Sequence, residues 1–255
     1  GVLIGIGMIV RWKNDNASRL LRQLMPAFLA TVILSIVVSL LLPEWNWQAL
    51  AGLMMALWVA ATVVLAMAER VRGRSLMSAL RSTPRGFYGM LLGHVGIAIF
   101  IVGMTMVSLY DIEKDLRMAP GDQFEMSGYS FTFNGVKYVP GPNYTAAQGE
   151  FLVTDESGYE TVIHPEKRIY LVQKNPMTEA AIDAGFTRDL FVALGEEVGA
   201  DGSWAIRMYY KPYIRWIWLG ALIMSLGGLL AATDKRYRQL ARREVEAANL
   251  AGSHA

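Results

Sequence analysis

Four stretches of this chain, residues 24–42, 47–68, 87–109 and 213–232, are apolar and carry almost no charge. About 20 helical residues cover the roughly 30 Å hydrocarbon core of a bilayer, because an α-helix advances about 1.5 Å per residue. In lipid a single segment can satisfy its backbone polar groups only as a helix, so the four stretches read as four full transmembrane helices. The apolar residues 1–10 are too short to cross, and no basic segment precedes them to make a signal peptide. They are expected to form a partial transmembrane helix, and the chain to be a piece of a longer polypeptide.

The basic residues set the expected orientation. Arg11, Lys13, Arg19 and Arg22 precede the first full span, and Arg70, Arg72, Arg74, Arg81 and Arg85 separate the second from the third. Lys235, Arg236, Arg238, Arg242 and Arg243 follow the last, whereas residues 43–46 hold no Lys or Arg. The positive-inside rule then puts residues 110–212 outside and the tail, 233–255, in the cytoplasm. Trp45 and Trp47, in the outer connection, suit the interfacial aromatic belt.

Residues 110–212 change in character. Sixteen Asp and Glu stand against nine Lys and Arg, a net charge of −7, which repels phosphate and argues against nucleic acid as a partner. Tyr129, Phe131 and Phe133 alternate with Ser130, Thr132 and Asn134, the period of a half-buried strand. Asn134-Gly135, Ser157-Gly158 and Asp201-Gly202 are turn signals. Further strands are expected near 149–154, 159–163, 168–173, 189–194 and 204–210, with a short helix over 178–184. About 100 residues enclose one small core. The fold class is thus an α+β membrane protein, a helix bundle carrying an inserted external β-sandwich or barrel. In the tail, residues 239–251 are expected to form a surface helix.

The chain has no cysteine, which excludes disulfides, zinc thiolates, iron–sulfur clusters and a cysteine nucleophile. Walker loops, Gly-x-Ser-x-Gly elbows and paired intramembrane carboxylates are also missing from the sequence, and the last argues against a proton-coupled transporter. Of three histidines, His254 lies in the tail and His164 precedes Pro165 in the external segment. His94 is different, because it lies inside the third apolar run. Gly89, Gly93, Gly96 and Gly103 surround it at offsets that return to nearly one helix face, with His94 about 100° round from Gly93. A surface without side chains lets a macrocycle or a partner helix approach the backbone. The imidazole itself has three open roles: a hydrogen bond across a helix interface, ligation of haem or another metal, or proton transfer.

Several separated segments resemble one family over essentially the whole chain and in the same order. They are Tyr88-Gly-Met-Leu-Leu-Gly-His94-Val-Gly96, Pro165-Glu-Lys-Arg168-Ile-Tyr170, Met177-Thr-Glu-Ala-Ala-Ile182, Arg188-Asp-Leu-Phe-Val-Ala-Leu-Gly195, Trp204 with Arg207, and Trp216-Ile-Trp218-Leu-Gly220 through Gly227-Gly228 to Asp234. Together they are similar to the C-terminal part of the CcmF/NrfE family, the haem lyases of bacterial cytochrome c maturation. The resemblance implies a multi-pass protein of the bacterial inner membrane with residues 110–212 periplasmic. It implies an enzyme that attaches substrate haem covalently to apocytochrome c, with a separate b-type haem in the membrane. His94 matches one of the two axial ligands of that haem iron, with Gly93 and Gly96 beside it as cofactor-binding positions. Implied partners are the N-terminal part of the same protein, a haem chaperone, apocytochrome c and its delivery subunit, membrane lipid, and quinol as electron source.

The family's tryptophan-rich haem segment, its external haem-holding histidines and the second ligand of the membrane haem have no counterpart here. No catalytic residue is therefore expected on this chain, which alone is not competent for ligation. The alternative from a different class is a non-catalytic membrane assembly or scaffold subunit whose external domain binds a partner. The 165–168 and 177–179 runs serve either as that contact or as turn and packing residues of the β domain.

Overall fold

The computed structural model describes residues 1–10 and 16–234. The basic residues Arg11 and Lys13, the expected tail helix at 239–251 and His254 lie outside the described residues. A short helix α1 (Val2–Gly7) comes first, where a partial transmembrane helix is expected. Four helices long and apolar enough to cross a membrane follow: α2 (Ala17–Leu40), α3 (Trp47–Val71), α5 (Arg85–Tyr110) and α6 (Ile214–Ala232). The seven-residue helix α4 (Leu76–Ser82) lies in the connection between α3 and α5.

Local chemistry sets these boundaries. Asn16 and Asn46 begin α2 and α3 as N-caps, each side-chain oxygen accepting an amide two residues on. α2 starts seven residues before the apolar run, because its first turns carry Ser18, Arg19 and Arg22 on a polar helical end. The buried side of α2 is a ladder of small hydroxyl residues, Thr31, Ser35 and Ser39, and α3 buries Ala49 and Ala56. Small side chains let helices approach closely where lipid supplies no hydrophobic drive for association. Trp58 closes the cluster around Ile9, Leu24, Ala66 and Leu91, and its indole donates to the Val2 carbonyl at 3.1 Å.

The second compact unit, Met106–Arg215, is built of ten strands in two sheets. One sheet runs β1 (Ile112–Met118), β10 (Trp204–Pro212), β9 (Arg188–Glu197), β8 (Ala181–Ala184). The other runs β2 (Gln123–Met126), β3 (Tyr129–Pro140), β4 (Tyr144–Asp155), β6 (Glu166–Tyr170), β7 (Pro176–Glu179), with β5 (Glu160–Ile163) also on β4. Phe131, Phe133, Phe151, Leu190, Val192, Leu194, Ile206 and Met208 form its core, every second residue of their strands pointing inward. This is the expected sandwich.

Two local expectations are corrected. The residues of the expected helix 178–184 are split between β7 and β8, and the chain passes from one sheet to the other between Glu179 and Ala181. Ladders to β6 and β9 outweigh the helix propensity of this Ala-rich run. Asn134-Gly135 is not a hairpin turn, because β3 continues through it with a register shift between Phe133 and Gly135. Gly135, at φ +110°, supplies the backbone freedom that the bulge needs.

Candidate functional site

The helix α5 that carries His94 follows Thr83-Pro84, and proline suits a helix start because its missing amide would have no partner there. The Gly86 amide near this end donates to the Asp234 carboxylate at 2.8 Å, so a residue just beyond α6 anchors the start of α5. Arg70, at the end of α3, donates to the Thr83 hydroxyl at 3.1 Å and lies over the Phe87 ring.

Above this anchor the glycines separate into two groups. A methyl group on Gly89 would meet the Gly227 carbonyl oxygen at 2.5 Å, and one on Gly96 would meet that of Gly220 at 2.6 Å. A methyl on Gly103 would meet the Ile217 nitrogen at 2.8 Å. Gly89, Gly96 and Gly103 recur every seven residues and face Gly220 and Gly227, also seven apart. The stripe is therefore a helix–helix seam. Gly93 stands outside it, with no atom within 4 Å of a methyl group built there. Gly96, expected to border a cofactor, is covered by α6, so a macrocycle cannot lie over it while the seam is closed.

His94 is half-buried on another side of α5. By helical rotation of about 100° per residue it shares that side with Phe87, Met90 and Leu91, which belong to or pack on the Trp58 cluster. Its Nδ1 lies 2.7 Å from the Met90 carbonyl oxygen, one turn back. A carbonyl can only accept, so Nδ1 carries a hydrogen, and in the neutral ring Nε2 is then the nitrogen with the lone pair. The backbone thus fixes the tautomer that binds metal through Nε2, the role a second hydrogen bond plays for histidine ligands generally. Residue spacing could reveal the histidine, but not the carbonyl that sets its tautomer. α3 and α5 also border an apolar groove of about 730 Å³, with Val63, Met67, Tyr88, Leu92 and Val95 in its walls and His94 not among its lining residues.

In the sandwich, the motif residues mostly serve one another. Pro165 is fully buried. Arg168 lies 4.6 Å over the Tyr144 ring and binds Glu166 at 2.7 Å and Glu179 at 3.3 Å. Burial of Glu166 acts to raise its pKa, but hydrogen bonds from Arg168 and Gln148 prevail and hold the carboxyl below its usual value. Trp204 is in the core, and Arg207 pairs with Asp115 at 2.6 Å. Arg188 pairs with Asp183 at 2.6 Å and donates to the Tyr129 hydroxyl. His164 faces Glu150 at 3.7 Å. Among the described residues no group of three or more His, Cys, Asp or Glu could hold a metal ion. Arg215, at the start of α6, pairs with the buried Asp189 at 2.9 Å.

Residues 109–212 match the model of the CcmF C-terminal β-sandwich. The chain is 43% identical over 253 residues to the cytochrome c-type biogenesis protein CcmF of Pseudomonas aeruginosa, covering 99% of this chain and 38% of that protein. The chain belongs to the CcmF family. It corresponds to the C-terminal part of CcmF. It is also 42% identical over 245 residues to the CcmF of Escherichia coli, covering 93% of this chain and 36% of that one. The solved structure of a cytochrome c heme lyase CcmF shares the fold, with a TM-score of 0.70 at 19% identity over 90% of this chain and 37% of that one. The chain thus spans little more than a third of the length of these relatives. Its four apolar helices make it, like CcmF, a multi-pass membrane protein.

Proposed function

We propose that this chain acts in cytochrome c maturation as the C-terminal part of a haem lyase, supplying one axial ligand to a b-type haem in the inner membrane. The observation that carries the reading is the 2.7 Å contact of His94 Nδ1 with the Met90 carbonyl, which occupies Nδ1 and makes Nε2 the nitrogen that would meet iron. Gly93, open on the neighbouring part of α5, leaves room for a flat group. The reading uses His94 and Gly93, with Gly96 supporting them through the seam. A haem bound there would supply one-electron redox chemistry within the membrane.

The chain's own residues position and insulate. Met90 orients the imidazole, while Phe87 and Leu91, on the same side of α5, belong to or pack on the apolar Trp58 cluster. The glycine seam and the Asp234 anchor hold α5 in place. The second axial ligand, the attachment of substrate haem to apocytochrome c, quinol as donor, and contacts with a haem chaperone and a delivery subunit are assigned to the whole protein. The sandwich lies in the periplasm in this reading, and the basic connections lie in the cytoplasm.

The test uses the full-length parent with His94→Gly, purified and recorded as a reduced-minus-oxidised spectrum. Loss of the b-type bands and their return with added imidazole are expected, because the glycine leaves a cavity at the ligand position. Bands unchanged without imidazole would overturn the assignment and favour a scaffold subunit.

A further inference from the structure

We propose that the β8–β9 turn of the sandwich, with Phe186 at its tip, is a membrane-interface anchor that inserts its ring among lipid headgroups beside the start of α6. The strand register shows which end of the sandwich this is. Pro212, the last residue of β10, pairs with Arg188, and Ala184 pairs with Asp189. The three-residue connection 185–187 therefore lies level with the point where the chain leaves the sheet. The Tyr213 amide donates to the Thr187 carbonyl at 2.8 Å, and α6 begins at the next residue. A turn bonded to the residue before a membrane span stays at the depth of that span's entrance.

The side chains fit the site. Phe186 is 69% exposed, in contrast to the buried phenylalanines of the core. The charges around it are matched: Arg188 with Asp183 at 2.6 Å, and Arg215 with Asp189 at 2.9 Å. The Gly185 amide reaches both the Arg188 carbonyl and the Asp189 carboxylate. An apolar tip on a base whose charges and hydrogen bonds are paired suits the partly dehydrated headgroup region, where aromatic rings concentrate. The other sheet ends differently at this level. There Glu125, Asp155 and Glu156 border a polar depression.

The absence of cysteine from these 255 residues makes the test direct. Phe186→Cys is introduced into the full-length parent, with any cysteine outside this chain replaced by serine, and labelled with bimane in nanodiscs of phosphatidylcholine and phosphatidylglycerol. Val172→Cys is the control, since Val172 is 91% exposed in the β6–β7 loop at the opposite end of the sandwich. Both positions lie outside the core, so labelling leaves its packing intact. A nitroxide at carbon 5 of the lipid chain is expected to quench the label at 186 several-fold more than the label at 172, and aqueous iodide to show the reverse order. Equal iodide quenching at both positions would overturn the proposal by placing the turn in water. Quenching of the 186 label by neither agent would overturn it by placing the turn against protein.

Discussion

Gly93 and Gly96 lie three residues apart on one helix and should respond oppositely to the same substitution. An alanine methyl at 96 would be 2.6 Å from the Gly220 oxygen and 2.7 Å from the Met224 nitrogen. Carbon–oxygen contacts settle near 3.3–3.6 Å, so α5 and α6 must part by about 0.7–1 Å. A gap of that size forfeits roughly a quarter to a half of each dispersion contact along the seam, and overpacking typically costs about 1–3 kcal/mol. The intrinsic preference of helices for alanine returns at most about 1 kcal/mol. Gly96→Ala is therefore expected to destabilise by about 1–2 kcal/mol. Gly93→Ala meets no atom within 4 Å and keeps the propensity gain, so it is neutral or stabilising by up to about 1 kcal/mol. The assay is SDS titration of the haem-free full-length parent, followed by circular dichroism. Midpoints displaced equally and in the same direction would refute the division of the glycines into seam and open positions.

Asp234→Ala removes the acceptor of the Gly86 amide and should cost about 0.5–2 kcal/mol in the same titration, whereas Asp234→Asn, which keeps an oxygen, should retain most of the stability. At the β4–β5 turn the Asp155 carboxylate accepts from the Ser157 hydroxyl and from the Ser157 and Tyr159 amides, and these bonds hold its pKa below the usual value. A depressed folded-state pKa adds stability that is present above the unfolded value of about 4 and is lost as pH falls through the folded one. Hydrogen exchange at Ser157 and Tyr159, corrected for intrinsic rates, should therefore show protection that persists at pH 5 and fails in stronger acid; protection independent of pH would contradict the carboxylate's role.

What was legible in the sequence follows from the range of the signals. Spans are set by local hydropathy, and strands such as β3 by alternation, so both were readable from neighbouring residues. The helix expected over 178–184 failed because its propensities are local while the ladders that override them come from β6 and β9. The glycine stripe shows the same limit more sharply. Its period was plain, yet periodicity reports that residues share a face and not what covers that face. Gly220 and Gly227, more than a hundred residues away, decide that a helix covers it. With Gly89, Gly96 and Gly103 committed to α6, what remains open on that part of α5 is Gly93, and beside it His94 has its tautomer fixed by Met90. The pairing of Arg215 with Asp189, across 26 residues, was equally invisible locally. The glycines therefore bear on His94 at one remove: by fastening α5 to α6 they determine which part of α5 that helix leaves uncovered, and the proposed ligand role of His94 depends on that part.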